Sequence, residues 1–290
     1  KHRYQQKVFK VGLNASFTCP NRDGSKGLGG CSFCNALGSG DFQGNTQEDL
    51  LEQFRKGIAI QKKKWPQAQA IAYFQAFSNT YAPLDILKTC FEPFIHHKDA
   101  IAISIATRID CLNEENINYL ESLTKYKDVY LELGLQTIHD EIALDMNRAY
   151  LFEHFIKGYE RLKNSPLKIV IHLMNGYPNE TLEMMIENAK VVGQLKPYGI
   201  KFHMLNILKD SSLGQRYLKQ TFPVLSQEAY VECVVEQLGY LPQELVILRL
   251  TGDYNESELL APKWILNKIQ VLNDIDKKMA QDNRFQGDRL

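Results

Sequence analysis

Seven short apolar runs, separated by helical patterns, constrain the fold of this 290-residue chain more than any other feature. Each run is rich in β-branched residues and nearly continuous in apolar character, which is typical of parallel strands buried on both faces. The runs alternate with helical segments about every 30 to 40 residues, and this alternation predicts right-handed βαβ crossovers. The sequence therefore predicts an α/β protein. Its predicted strands cover residues 8–14, 70–74, 100–107, 128–136, 167–175, 199–208 and 244–252.

Helices are predicted between these strands from their capping residues. Thr46 is the expected N-cap of the first helix, with Asp49 three residues later in the manner of a capping box. Asn113 is the expected cap of a later helix whose first turn is acidic. A further helix is predicted over 179–196. The tail after residue 262 is predicted to form one amphipathic helix and then a frayed polar end.

Repeated strand–helix units of this kind can form either a partial TIM-like barrel or an open doubly wound sheet. In both architectures, ligands bind beyond the C-terminal ends of the parallel strands. Polar residues that directly follow a predicted strand are therefore the candidates for a functional site.

Composition and charge exclude several classes of protein. The formal net charge is zero, so the chain lacks the global basic field expected of a strong standalone nucleic-acid binder. No apolar run reaches the roughly 18 residues that a membrane span needs, and the polar N-terminal residues predict no signal peptide. Six cysteines are too few for a disulfide scaffold, so we expect a reducing, cytoplasmic setting.

Three of the six cysteines lie in one glycine-rich stretch that follows the first predicted strand. Eleven residues separate Cys19 from Cys31, and Cys34 follows after two more. A structural zinc site needs four protein ligands, whereas three thiolates on a [4Fe–4S] cluster would leave one iron open to another ligand. The spacing alone leaves both alternatives open. We expect the other three cysteines to be buried packing residues: Cys90, Cys111 and Cys233.

Several motifs at the predicted strand ends occur in the order typical of one enzyme family. They are CPNRDGSKGLGGCSFC, FQAFSNTYAP, SIATRIDCL, LELGLQTIHDEIALDMNRAY, HLMNGYPNE, FHMLNILKDSSLG and RLTGD. On these motifs the sequence resembles the radical S-adenosylmethionine (SAM) superfamily, in particular the branch of the Elongator catalytic subunit and its small bacterial members. The resemblance covers nearly the whole chain. It implies a partial (β/α)6 TIM-like barrel over residues 1–240, with a C-terminal strand and helix extension, residues 241–290, packed on it.

The resemblance also implies the cofactors. Cys19, Cys31 and Cys34 would bind a [4Fe–4S] cluster whose open iron chelates SAM. An electron from the reduced cluster would cleave SAM to a 5′-deoxyadenosyl radical, which abstracts a hydrogen from the substrate. Such chemistry needs an electron donor, for example flavodoxin or ferredoxin.

Residues at the strand ends are expected to contact SAM. Ser78 lies where many members of the superfamily have Gly-Gly-Glu for the SAM amino group. Arg108 or Arg148 could fork onto the SAM carboxylate, and Glu132 would suit the ribose hydroxyls. Structural ion pairs, turn chemistry and core packing are the alternative roles. The predicted SAM contacts are Phe33, Gln75, Ser78, Asn79, Arg108, Asp110, Glu132, Gln136, Arg148, Asn175, Gly176 and Pro178.

Relatives in the Elongator-like branch act on the tRNA wobble uridine, so the resemblance makes tRNA the expected partner. The expected reaction remodels a uridine C5 side chain, for example carboxymethylaminomethyl to aminomethyl, and would need base flipping. Basic segments 1–7, 61–65 and 263–268 are candidate RNA contacts, with a solvated surface as their alternative role. The weaker candidates for substrate contact are Tyr81, His203, Asn206 and Lys209.

Two other functions fit the sequence less well. One is a radical SAM enzyme that acts on a small metabolite or a porphyrinogen. The other is a non-catalytic, zinc-stabilised RNA-binding protein, which would need a fourth ligand for its metal.

Overall fold

The computed structural model describes residues 3–38, 44–252 and 255–290, and these residues form parallel strands connected by helices. The strands are β1 (Val8–Leu13), β2 (Gln69–Phe74), β3 (Ala100–Thr107), β4 (Asp128–Gln136), β5 (Lys168–Asn175), β6 (Gly199–Met204), β7 (Ile207–Leu208), β8 (Val246–Arg249) and β9 (Leu259–Ala261). The α-helices are α1 (Leu50–Lys64), α2 (Leu84–Ile95), α3 (Glu114–Leu123), α4 (Asp140–Asp145), α5 (Phe152–Glu160), α6 (Leu182–Leu195), α7 (Ser212–Lys219), α8 (Gln227–Gly239) and α9 (Lys268–Gln281). None of these described helices is long and apolar enough to cross a bilayer.

The larger sheet has the strand order β1-β2-β3-β4-β5-β6-β8. Pairing is parallel from β1 through β4, and again from β5 through β6 to β8. The predicted α/β class with a parallel sheet is confirmed. The chain divides into two compact units: the first holds Lys1–Lys26, Leu37–Leu133 and Gly158–Ile169, and the second holds Gly27–Ala36, Gly134–Lys157 and Val170–Leu290. The predicted domain boundary at residue 240 stays a prediction.

Side-chain caps set the starts of two helices in the first unit, α1 and α3. The prediction that Thr46 caps the first helix is wrong, because Asp49 accepts the Glu52 backbone N–H at 3.0 Å and α1 begins directly after it. The Asn113 cap is confirmed, since its side chain accepts the Asn116 N–H at 2.8 Å. In both helices the cap satisfies an N–H group that has no partner within the helix.

An aromatic cluster fills the core between the sheet and the helices of the first unit. The ring of Phe74, at the end of β2, lies 4.8 Å from that of Phe91 and 5.3 Å from that of Phe94, both on α2. Phe54 on α1 meets Phe94 edge to face at 5.3 Å. All four side chains are fully buried. This packing fixes the end of β2, from which the chain continues into the candidate site.

The second unit departs from the sequence prediction at one strand. A single strand over 199–208 is wrong, because β6 ends at Met204 and β7 pairs with β9 in a separate antiparallel ladder. The Leu205 N–H donates to the Asn175 carbonyl at 2.9 Å at the point where the chain leaves the large sheet. An apolar run indicates burial, but it does not say which sheet the strand will join.

The C-terminal residues are ordered against α8, so the prediction of a frayed end is wrong. Arg284 forms an ion pair with Glu236 at 2.6 Å and another with Asp288. The Gly287 N–H donates to the carbonyl of Leu238 at 3.1 Å. The contacts of Arg284 with Glu236 and of Gly287 with Leu238 are long-range in sequence, and the polar composition of the tail gave no sign of them.

Candidate cluster and cofactor site

Cys19 lies on the loop that follows β1, in the first unit. Its carbonyl accepts the N–H groups of Arg22 at 2.8 Å and Asp23 at 3.3 Å, which closes a tight turn after the cysteine. The side chain is half-buried, and its Sγ accepts a hydrogen bond from the Ser78 hydroxyl at 3.6 Å. The Ser78 N–H also donates to the carbonyl of Thr18 at 3.1 Å. The first predicted cluster ligand is therefore held by the turn that follows β2.

That turn has an unusual backbone. Ala76 and Phe77 both adopt left-handed conformations, with φ of 68° and 58°, which non-glycine residues rarely adopt. Asn79 compensates, because its side-chain amide donates to the carbonyls of Ala76 and Ala106, both at 2.9 Å. The structure therefore brings the predicted residue Ser78 to Cys19, while Asn79 stabilises the turn and Gln75 is half-buried just before it.

Arg108 and Asp110, which follow β3, bind each other. The guanidinium donates to both carboxylate oxygens, at 2.9 and 3.0 Å, and Lys26 adds a further contact to Asp110 at 3.2 Å. Burial acts to raise the pKa of Asp110, but the two cations outweigh it and lower that pKa below its usual value. In this structure the Arg108 guanidinium therefore binds the carboxylate of Asp110. Binding of the SAM carboxylate by Arg108 stays a prediction.

The prediction that the three remaining cysteines are buried is confirmed for two of them, and their packing role stays a prediction. Cys111 and Cys233 are buried, and Cys90 is half-buried. Burial raises the pKa of Cys111 to about 12 and raises the pKa values of Cys90 and Cys233 as well. Thiols with raised pKa values stay protonated at neutral pH, which suits packing better than metal binding.

Glu132 on β4 is fully buried and interacts with a residue that the sequence analysis missed. Its carboxylate forms an ion pair with Lys10 on β1 and accepts the Ser104 hydroxyl at 2.5 Å. The Lys10 ammonium also lies 4.2 Å from the ring centre of Tyr73. The signal was present in the sequence, because a lysine inside the apolar run VFKVGLN has to find a buried partner.

Cys31 and Cys34 lie in the second unit, on a loop held by backbone contacts. The Cys34 N–H donates to the Cys31 carbonyl at 2.9 Å, so the two residues share one turn. Between them, the Ser32 N–H donates to Met146 at 2.8 Å, and the Ser32 carbonyl accepts the N–H of Leu213 at 2.8 Å. Both cysteines are half-buried. The local geometry therefore presents two thiols on one tight turn.

Phe33 lies between these cysteines and is buried in a hydrophobic cluster. The cysteines of the turn pack against this cluster. The Tyr177 hydroxyl, which belongs to the cluster, shares a hydrogen bond of 2.6 Å with the Ser32 hydroxyl. Packing of Phe33 near the adenine of SAM stays a prediction. The buried members of the cluster are Phe33, Ile142, Met146, Met174, Tyr177, Leu205, Ile207, Leu213 and Ala261.

The side chains of Arg148 and Gln136 both interact with backbone carbonyls at the end of β4. Arg148 is fully buried and donates to the carbonyls of Leu135 and Thr137, both at 2.5 Å, and of Tyr150 at 3.0 Å. Gln136 has a left-handed backbone, with φ of 63°, and its side-chain amide folds back onto the preceding carbonyls. These contacts give both residues a structural role, and their predicted contacts to SAM stay predictions.

The turn predicted to contact SAM through Asn175, Gly176 and Pro178 lies at the end of β5. The Asn175 side chain exchanges two hydrogen bonds with Gln237, at 2.8 and 2.9 Å, and its backbone carbonyl accepts the Leu205 N–H. Gly176 has φ of 89°, a conformation that favours glycine. Its N–H donates to Glu180 at 3.0 Å. Pro178 is buried in the same turn.

Glu180 is a second residue that the sequence analysis missed. Its carboxylate accepts N–H groups from Gly176 and Tyr177 and the side-chain amide of Asn188 at 3.1 Å. Burial raises the pKa of Glu180 to about 7, although the three hydrogen bonds act in the opposite direction. Glu180 therefore fixes the turn after β5 and titrates near neutral pH.

The weaker substrate candidates are spread over both units. Tyr81 donates to the Ser25 hydroxyl at 2.8 Å in the first unit. In the second unit, the ring of His203 lies 5.1 Å from that of His172, Asn206 is half-buried between β6 and β7, and Lys209 is exposed with its ammonium bound to the Ser257 carbonyl. These positions leave their substrate role a prediction.

Cys19, Cys31 and Cys34 have the thiol chemistry that an iron–sulfur cluster needs. None of the three forms a disulfide bond, and each is half-buried. Within 3–38, 44–252 and 255–290, no three His, Cys, Asp or Glu side chains are arranged around a single metal ion. Thiolates are the usual protein ligands of a [4Fe–4S] cluster, in which each thiolate binds a different iron.

Comparisons with known proteins agree with these features. Residues 16–192 match the model of the radical SAM superfamily, and residues 197–281 match that of the radical SAM C-terminal domain. An uncharacterized protein of Bacillus subtilis, YtqA, is 42% identical over 99% of this chain and 89% of its own length. A tRNA uridine(34) acetyltransferase of Methanocaldococcus jannaschii is 28% identical over 53% of this chain but only 28% of its own length.

A solved structure shows the same fold. Elp3 from Methanocaldococcus infernus superposes with a TM-score of 0.72 over 97% of this chain and 64% of that chain, at 19% identity. The predicted radical SAM type of α/β fold is thereby confirmed. Family membership also makes the chain an enzyme, so the alternative of a non-catalytic zinc protein is wrong. The chain belongs to the radical SAM superfamily, whose enzymes use a [4Fe–4S] cluster and S-adenosylmethionine.

Proposed function

We propose that this enzyme modifies the C5 side chain of the wobble uridine of tRNA, for example from carboxymethylaminomethyl to aminomethyl. The observation that carries the proposal is the similarity to a tRNA uridine(34) acetyltransferase over half of this chain. Position 34 is the wobble position of the anticodon. Because the similar segment covers only 28% of that relative, acetyl transfer is not carried over to this chain.

Cys19, Cys31 and Cys34 are proposed as the three cluster ligands. When bound, the cluster and SAM together supply a 5′-deoxyadenosyl radical. The residues of this chain hold and orient these groups. Support for the cysteines comes from their half-buried positions and from the tight turns that present them. A small electron carrier, such as flavodoxin or ferredoxin, is the proposed reductant.

SAM is proposed to lie at the C-terminal ends of the strands, as ligands do in parallel α/β proteins. At the end of β5 the proposed contact is the backbone of the turn at Asn175 and Gly176. Leu205 and Glu180 hold this turn in place through the Asn175 carbonyl and the Gly176 N–H. His203, Asn206, Lys209 and Tyr81 are proposed to contact the substrate.

The basic segment 61–65 is a weak candidate for RNA binding. Lys7 and Lys64 lie 4.1 and 4.9 Å from the ring of Trp65, so this residue joins two of the predicted basic segments. However, Trp65 precedes the start of β2, whereas Ser78 follows its end. The segment therefore lies at the N-terminal ends of the parallel strands, whereas Cys19 follows the C-terminal end of β1. Residues 1 and 2 of the N-terminal basic segment lie outside the described residues.

Nucleoside mass spectrometry of tRNA from a deletion strain tests the proposal. We expect one wobble-uridine derivative to accumulate and a later derivative to disappear. Purified, anaerobically reconstituted enzyme with SAM and dithionite should then convert the accumulated nucleoside in that tRNA. A control with Cys19→Ala protein should leave it unchanged. Release of 5′-deoxyadenosine without any change in tRNA would instead indicate a small-molecule substrate.

A further inference from the structure

We infer that Ser78 is a positioning residue for the iron–sulfur cluster, which acts through Cys19, and that it does not serve as a ligand of SAM. The inference rests on the proposed cluster ligands. It concerns a serine that the sequence resemblance places among the expected SAM contacts.

The direction of the Ser78 side chain is the first support. Its hydroxyl donates to the Cys19 sulfur at 3.6 Å, within the longer range that hydrogen bonds to sulfur adopt. Ser78 is only 1% exposed, so almost no face of its side chain is left for a bound ligand. Cys19, by contrast, is half-buried, which leaves its sulfur room to bind an iron atom.

The rigidity of the turn is the second support. The Ser78 N–H is bonded to Thr18, directly before Cys19, and the next residue, Asn79, is tied to Ala106 through both its backbone and its side chain. The hydroxyl and the sulfur are thus fixed on two segments that are bonded to each other. A hydrogen bond of this kind is pre-organised and needs no rearrangement when the cluster binds.

A hydrogen bond to a cysteine sulfur affects the electronic properties of the cluster that it ligates. It withdraws electron density from the sulfur, which stabilises the more negative, reduced cluster and raises its reduction potential. Loss of the Ser78 hydroxyl should therefore make the cluster harder to reduce. A SAM ligand at this position would behave differently, because its loss would weaken SAM binding and leave the SAM-free cluster unchanged.

The experiment measures both quantities in the anaerobically reconstituted protein without tRNA. The reduction potential of the SAM-free cluster is obtained by a redox titration followed by electron paramagnetic resonance, and SAM affinity by equilibrium binding. The variants are Ser78→Ala, which removes the hydroxyl, and Ser78→Thr, which keeps it. Ser32→Ala is the matched control, because Ser32 directly follows Cys31 but its hydroxyl bonds to Tyr177 and not to a sulfur.

We expect Ser78→Ala to shift the potential to a more negative value, with a SAM dissociation constant within twofold of wild type. Ser78→Thr and Ser32→Ala should keep the wild-type potential. If Ser78→Ala holds no cluster while Ser78→Thr does, the hydroxyl is still required at Cys19 and the inference stands. An unchanged potential in Ser78→Ala, a weakened SAM affinity alone, or loss of the cluster in both variants overturns it. A wild-type protein that binds no cluster would overturn the proposed function as well.

Discussion

Lys10 and Glu132 form an ion pair although two strands of the sheet, β2 and β3, lie between their own strands. Glu132 is fully buried, and Lys10 keeps 28% of its side chain exposed. The lysine therefore reaches in from a partly solvated position to neutralise a carboxylate on the fourth strand. A buried carboxylate is costly without such a partner, so the pair links the edge strand β1 to β4 independently of the backbone ladder.

Replacement of this lysine should destabilise the fold. We expect Lys10→Met to lower the free energy of unfolding by about 2–3 kcal/mol, because the buried carboxylate loses its cation. Urea denaturation followed by circular dichroism measures the change. The double variant with Glu132→Gln should recover much of the loss, since it removes the buried charge. Equal stability of wild type and Lys10→Met would show that the pair contributes nothing.

Stability should depend on pH through Glu180. The pKa of about 7 in the folded protein lies above the ordinary value of 4.5, so between these values the folded state binds more protons than the unfolded state. The contribution of Glu180 is thus fully present below about pH 4.5 and is lost as the pH rises through 7. It amounts to about 3 kcal/mol at most.

The Glu180→Gln variant isolates this contribution, because an amide does not titrate and its oxygen can still accept the N–H groups of Gly176 and Tyr177. Unfolding free energies of both proteins are measured from pH 5 to 8. As the pH rises, the variant should become more stable relative to wild type. A difference that stays constant over this range would contradict the raised pKa.

Substitution of Gly176 should disturb the turn after β5. A Cβ atom there would lie 2.7 Å from the Leu225 side chain, on a backbone with φ of 89°. Gly29 is the matched control, since its φ is 79° but a Cβ atom would have nothing within 4 Å. We expect Gly29→Ala to cost about 1 kcal/mol from backbone strain alone and Gly176→Ala about 2–3 kcal/mol. Thermal denaturation of both variants provides the test, and equal losses would refute the steric contribution.

The cluster ligands can be tested by iron content. We expect Cys19→Ala, Cys31→Ala and Cys34→Ala each to bind fewer than the about four irons per chain of a complete cluster, with loss of its visible absorption. Cys90→Ala is the control, and it should keep the full iron content because burial raises the pKa of that thiol. Normal iron content in any of the three variants would remove that cysteine from the ligand set.

The fold could be predicted from the sequence wherever local patterns decided it. The predicted strand over 100–107 has the same bounds as β3, because a continuous apolar run buried on both faces has few alternatives. The break at Leu205 and the ordered tail around Arg284 could not be predicted. Both depend on partners that are distant in sequence, namely β9 and α8.

The site was predictable as a set of positions but not as a set of contacts. The cysteines and the strand-end motifs stand out by spacing, and the structure does bring Ser78 to Cys19. The pairing of Glu132 with Lys10 depends on the register of strands β1 to β4, which the sequence does not give. Arg108 pairs locally with Asp110, two residues along the chain. A charged residue in an apolar strand signals that a partner exists, but it does not identify that partner.

The left-handed residues of the turn after β2 also matter for the unfolded chain. Glycines at Ala76 and Phe77 would adopt this backbone without strain, yet they would give the unfolded state many more conformations to lose on folding. With side chains at these positions, the left-handed backbone is strained in the folded state by about 1 kcal/mol per residue. The unfolded chain, however, loses less conformational entropy on folding. The segment next to Cys19 is thereby restricted before any cofactor arrives.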